Sequence, residues 1–224
     1  MNERNSRKLQ ALNIVVSVLL FGGLWGLVEA TLGTLLHLPI VHRTMFLSST
    51  TILVPIALAL MGACYKRTNT FRACLYMGVL AASMKALSCF IFKMSFNPCY
   101  YIIIESLAMG VAVLVIRPKK IVSYAGLATG ITASTLYLAA STPLRINVLT
   151  STAAQVMENV EKYVFKFNCV AILYMFAAGA VIYGLIKLAE AKEWKFSKIK
   201  EFIFHPAFAS SVAVVALAVT LILH

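Results

Sequence analysis

Seven long apolar runs, with Lys and Arg concentrated in alternate connections between them, limit this chain more than any other feature. They cover Ala11–Leu36, Thr44–Cys64, Phe71–Ile91, Pro98–Ile116, Ile121–Ala140, Phe167–Leu188 and Pro206–Leu223. Each approaches or exceeds the roughly 17–20 apolar residues that cross about 30 Å of hydrocarbon as a helix. Backbone in hydrocarbon must satisfy its own N–H and C=O groups, so such runs read as helices. Composition agrees: 61% of residues are hydrophobic, 12% are charged and none is aspartate, whereas soluble domains carry about 25% charged residues. The expectation is an all-α fold, a polytopic transmembrane helix bundle of six to seven spans, with residues 1–224 as a single integral membrane domain. The first run follows Arg4, Arg7 and Lys8 as a signal peptide would. It is too long, holds Glu29 and lacks an Ala-x-Ala site, so it reads as a retained helix.

The basic residues set the expected orientation, because short cytoplasmic loops hold Lys and Arg preferentially. One side receives Arg4, Arg7, Lys8, Lys66, Arg67, Arg72, Arg117, Lys119, Lys120, Lys187, Lys192, Lys195, Lys198 and Lys200, and the other only Arg43, Lys93, Arg145, Lys162 and Lys166. This alternation predicts a cytoplasmic N-terminus in a multi-pass protein of the cell (plasma) membrane and, with seven spans, an external C-terminus. The net charge of +12 then reflects topology and contact with anionic lipid. No motif supports nucleic-acid binding, and no phosphate loop is present, so any ATP hydrolysis would belong to another chain.

Cys64, Cys74, Cys89, Cys99 and Cys169 contain no Cys-x-x-Cys spacing, so no disulfide framework is expected. His37 and His42 share one external loop without metal-site spacing and read as loop residues; no metal and no cofactor are expected. Between the fifth and sixth runs, Thr152 and Gln155 can form a capping box. Ala153, Val156, Met157, Val160 and Val164 then share one stripe. That pattern predicts an external amphipathic helix over 152–166, either resting on the bilayer or closing over a cavity. Residues 190–204 alternate lysines with Trp194, Phe196, Ile199 and Phe202, which reads as an inner-leaflet anchor.

Three ionisable residues interrupt the apolar runs. Glu29, Lys85 and Glu105 each fall six or seven residues below the external end of their helix, about 10 Å down at 1.5 Å per residue. A charge at helix centre costs about 2.5–3.5 kcal/mol on insertion scales, so each needs a partner, water or a bundle interior. Gly22, Trp25, Gly26 and Gly33 share the Glu29 face; Gly78, Ala81, Ala82, Ser88 and Cys89 share the Lys85 face. Tyr101 lies one turn from Glu105, Ser134, Thr135 and Tyr137 lie in the outer part of the fifth run, and Asn168 opens the sixth. Asn97 and Pro98 resemble an N-cap followed by Pro at N1. The expected substrate-binding residues are Trp25, Glu29, Lys85, Tyr101 and Glu105, with no catalytic residue. Simple pairing of Lys85 with one carboxylate to hold the bundle is the other reading. Two carboxylates and one ammonium favour a neutral or cationic solute.

A small basic polytopic chain with an inside N-terminus, a small-residue first helix and no ATPase motif resembles the substrate-binding S components of energy-coupling factor transporters. The resemblance covers residues 8–190. It implies capture of a vitamin or related micronutrient near the external side. It also implies docking of a small-residue face, here Gly22, Gly26, Ala30 and Gly33, on a transmembrane coupling subunit served by ATPase subunits. The seventh run exceeds the usual six helices. The alternatives are an ion- or proton-coupled secondary transporter using Glu29 and Glu105 and, third, an intramembrane enzyme. No inverted repeat supports the former, and no nucleophile with a base supports the latter.

Overall fold

The computed structural model describes residues 3–36, 49–91, 93, 96–119, 124–149 and 205–222. Among these, six helices form: α1 Glu3–Leu36, α2 Ser49–Thr68, α3 Phe71–Ile91, α4 Asn97–Ile116, α5 Tyr124–Leu149 and α6 Pro206–Ile222. The sixth apolar run, the 152–166 stripe, the 190–204 segment, His37, His42 and Asn168 lie outside the described residues. By length and composition, Arg7–Leu32, Phe71–Ile91 and Asn97–Ile116 can each cross a membrane, and Pro206–Val219 is a shorter apolar helix. Among the described residues the fold is therefore all-helical and of the membrane type. Leu107, Val111, Leu114 and Val115 on α4 and Val214 and Val215 on α6 lie exposed, as residues that meet lipid would.

Several boundaries differ from the sequence expectation for one physical reason: an apolar run measures hydrocarbon depth, whereas a helix continues wherever its hydrogen bonds do. Thus α1 begins at Glu3, eight residues before the apolar run, and carries Arg7 and Lys8 on exposed turns. Similarly, α5 continues past Ala140 to Leu149, and α2 extends to Thr68 with Lys66 and Arg67 in its last turn, where cations suit the helix dipole. Left-handed residues end two helices. Asn69 (φ 51°) donates its N–H to the Tyr65 carbonyl at 2.7 Å, and Arg117 (φ 48°) donates to Val113 at 2.9 Å, each closing a terminal carbonyl. The Asn13 side-chain amide donates to the Arg67 carbonyl at 3.2 Å, tying α1 to another orphan acceptor at the end of α2.

The α4 start corrects a sequence expectation. Phe96, not Asn97, occupies the cap and makes no side-chain capping hydrogen bond, so Asn97 is already helical and Pro98 sits in the first turn. Proline is tolerated there because that turn's N–H groups lack intrahelical partners anyway.

Packing centres on α1, which touches α6 most extensively and also packs on α2 and α3, while α3 packs on α4 and α4 on α5. Trp25, Met61, Met77, Ala81, Ile102, Met109, Val113 and Tyr137 belong to the main core. A separate seam joins Val16 and Leu20 to Ala209, and Met84 and Leu27 to Ala213, Ala216 and Leu217. The seam advances along both helices in the same direction, so α1 and α6 run parallel. Ala209, Ala213 and Ala216 recur on one face, and at Gly23 an added Cβ would lie 2.9 Å from the Ala213 Cα. Backbone meets backbone here, which is how small residues hold helices together when lipid removes the hydrophobic drive.

The same holds for the glycines assigned to a docking face. An added Cβ at Gly22 would lie 3.0 Å from Leu80 Cδ2, and at Gly26 2.7 Å from Met84 Sδ; Ala30 is fully buried. These three residues of α1 are used in packing inside the chain, chiefly against α3. Gly33's side is outside the described surfaces.

Candidate functional site

The site begins with the packing register. Gly78 of α3 receives the Ser106 side chain of α4, and a Cβ at Gly78 would collide with it; a Cβ at Gly110 would lie 3.0 Å from Leu75 Cδ2. These contacts make α3 and α4 antiparallel. The same register carried to the other end of the pair, one residue back on α4 for each residue forward on α3, sets Lys85 level with Cys99, and Glu105 lies six residues farther along α4, about 9 Å at 1.5 Å per residue. The expectation of one common depth for all three ionisable groups is corrected on this point. It assumed equal distances from run ends, and the α4 side chain level with Lys85 is set by how Gly78 and Gly110 let the helices nest.

Glu29 nevertheless links the other two. It attracts Lys85 across the α1–α3 interface and repels the Glu105 carboxylate from α4. Two parallel helices place it there: α1 and α3 advance together from the Gly22 contact with Met77 and Leu80 to the Gly26 contact with Met84, which carries Glu29 to the level of Lys85. The fully buried Trp25 donates its indole N–H to Glu29 Oε1 at 3.3 Å from one turn below. Tyr101, one turn before Glu105, is half-buried against the main core. Trp25, Glu29 and Lys85 therefore lie together at the α1–α3 interface, and Glu105 on α4 lies within electrostatic range of Glu29.

Glu105 differs from the hydroxyl side chains of these helices. Hydroxyls at Ser17, Thr31, Thr68, Ser83, Thr129 and Ser211 each donate to a carbonyl four residues back at 2.7–2.9 Å, so they need nothing from outside their own helix. A carboxylate cannot use a backbone carbonyl in this way, since it only accepts. Glu105 is 3% exposed, and its Oε1 accepts no hydrogen bond from the protein. An unsatisfied buried acceptor costs about 1–3 kcal/mol, and more when charged. Chemically, the arrangement can accept a proton, a hydrogen-bond donor or a cation at Glu105, beside a second carboxylate already engaged by Trp25 and Lys85.

Other expected members divide. Ser134 and Tyr137 of α5 are buried, whereas Thr135 is exposed and donates to the Ile131 carbonyl at 2.9 Å, so it faces away from the bundle. Cys99 was not among the sequence candidates. Its mirrored position, two residues into α4 where Cys89 is two residues from the end of α3, is the signal that could have found it. No group of three or more His, Cys, Asp or Glu with metal-site geometry occurs among the described residues.

Comparison with protein-family models, curated proteins and solved structures returned no match. The chemistry of these residues therefore carries the functional argument alone.

Proposed function

We propose that the chain is a multi-pass protein of the cell membrane that captures a small solute, vitamin-like or a related micronutrient, from the external side, in the manner of an energy-coupling factor S component. The observation that carries this reading is the buried Glu105 carboxylate with an unpartnered oxygen, within electrostatic range of Glu29. A charge in hydrocarbon without a donor is tolerated where a ligand or water supplies one, and a solute bearing an N–H or cationic group supplies it. Trp25 and Tyr101 give apolar walls of the kind small-molecule sites use. Transport would then require a coupling subunit and ATPases from other chains, docked on a surface other than Gly22, Gly26 and Ala30.

Mass spectrometry of small molecules released from gently purified protein tests the reading. A stoichiometric solute lost in Glu105→Gln supports it, and a protein that carries and binds none contradicts it. The Glu29–Glu105 repulsion favours a second reading, a proton- or cation-coupled secondary transporter, because two neighbouring carboxylates favour sharing one positive charge. Uptake that follows an imposed proton or sodium gradient in vesicles containing this chain alone would select it.

A further inference from the structure

We infer that the captured solute carries a protonated amine on a largely apolar body, with an ammonium N–H held at Glu105 Oε1. This rests on the reading of the chain as a solute-capturing protein and names the class of solute. Contacts between four helices fix the height of Glu105 in the bundle. The Asn13 amide of α1 meets the Arg67 carbonyl of α2, and the Cys74 thiol of α3 meets the Met61 carbonyl of α2. Gly22 of α1 nests against Met77 of α3, while Gly78 and Leu75 of α3 nest against Ser106 and Gly110 of α4. Carried along the helices residue by residue, these registers agree with one another. They set Trp25, Pro55, Leu80 and Glu105 at one level, about one turn from the level of Glu29 and Lys85.

That level is rich in acceptors and poor in donors. Glu105 Oε1 is buried without a hydrogen bond. Pro55 lies inside α2, is buried and has no N–H, so the Thr51 carbonyl loses its usual helical amide. The Trp25 indole N–H is committed to Glu29 at 3.3 Å, and the Ser106 hydroxyl beside Glu105 donates to the Ile103 carbonyl at 2.8 Å. Ala81, Ala108 and Met109 nearby are buried and apolar.

These facts sort the solutes by chemistry. An anion would set like charge against the carboxylate. A polyhydroxylated solute would bury hydroxyls that find no partners. A hard metal ion asks for a shell of about six oxygens, and no group of three or more His, Cys, Asp or Glu with metal-site geometry occurs among the described residues. An ammonium asks for less. One charge-assisted N–H···O bond satisfies Glu105 and neutralises both groups, and an apolar body suits the alanine and methionine surroundings.

Trp25 shares the level of Glu105, and the other tryptophan of the chain is Trp194. Fluorescence of full-length Trp194→Phe protein in detergent therefore reads the site. The probes are n-butylammonium, tetramethylammonium, which has no N–H, and 1-butanol. The expected result is a saturable change with n-butylammonium, an affinity at least tenfold weaker for the other two, and at least tenfold weaker n-butylammonium binding in Glu105→Gln. Glu105→Asp keeps the charge and should keep the preference for n-butylammonium. Equal responses to the three probes overturn the inference, as does n-butylammonium binding unchanged in Glu105→Gln or matched by sodium chloride. Mass spectrometry of the released solute separates this inference from the capture reading. A stoichiometric solute without an amine, lost in Glu105→Gln, overturns the inference and leaves capture standing. Protein that carries no solute and binds no probe overturns both.

Discussion

At the scale of single residues, the ionisable groups differ in what surrounds them, and that difference predicts different mutant behaviour. Glu29 and Lys85 attract each other, so removing either alone leaves a charge in a low-dielectric interior. Glu29→Gln should therefore destabilise the protein less in a Lys85→Met background, with a coupling of about 1–3 kcal/mol in a double-mutant thermal cycle. The Lys85–Glu105 cycle should give a smaller value, because the helix register separates those residues. Strict additivity for Glu29 and Lys85 would mean that they do not interact. Glu105 has the opposite problem: its buried Oε1 lacks a donor. Glu105→Gln should leave thermal stability unchanged or raised, since it removes a buried charge without orphaning a partner. It should also weaken solute binding at least tenfold, about 1.4 kcal/mol. A stability loss with unchanged binding would reassign Glu105 to a structural role. That Glu29, Lys85 and Glu105 lie within helices was legible in the sequence, because charge in an apolar run is conspicuous. Glu105's lack of a partner was not, since satisfaction depends on which atoms other helices bring near.

Among the helices, glycine positions separate close contact from open space. At Gly78 a methyl group would collide with Ser106, and at Gly23 it would press on the Ala213 backbone. Gly78→Ala and Gly23→Ala should each cost about 1–3 kcal/mol as overpacking. Ser106→Gly should rescue Gly78→Ala, while no side-chain change at position 213 relieves a clash with main-chain atoms. Gly130 has nothing within 4 Å of its would-be Cβ, so Gly130→Ala should be neutral or stabilise by up to about 1 kcal/mol through helix propensity. Thermal melts of the three variants in one detergent check the ordering, and equal effects would refute the register assigned to α3 and α4. The apolar runs foretold the existence of these helices well. Their ends were less legible, because Arg7 and Lys8 in α1 and residues beyond Ala140 in α5 continue the backbone ladder outside any apolar run.

For the whole molecule, the parallel seam between α1 and α6 carries the strongest statement about chain path. With a cytoplasmic N-terminus, α6 should then deliver the C-terminus to the external side. In a background without native cysteines, a cysteine at position 66 should label from the inside, and cysteines at positions 162 and 224 from the outside. Labelling of positions 66 and 162 from one side would overturn the span count or the orientation. Labelling of position 224 from the inside would mean that α6 does not cross.

The sequence alone determined that this is a helical membrane protein, and which three ionisable side chains its helices must accommodate. Those conclusions rest on transfer free energies, which depend on residue type and run length and on nothing distant in the chain. Tertiary structure decided the rest. It placed Gly22, Gly26 and Ala30 inside the bundle, set Lys85 level with Cys99 instead of Glu105, and brought Glu29 to the level of Lys85. Each of these follows from how closely two helix backbones approach and in what register. That is fixed by the fit of small residues such as Gly23, Gly78, Gly110 and Ala213 against specific partners, a property of pairs of helices that no single helix encodes.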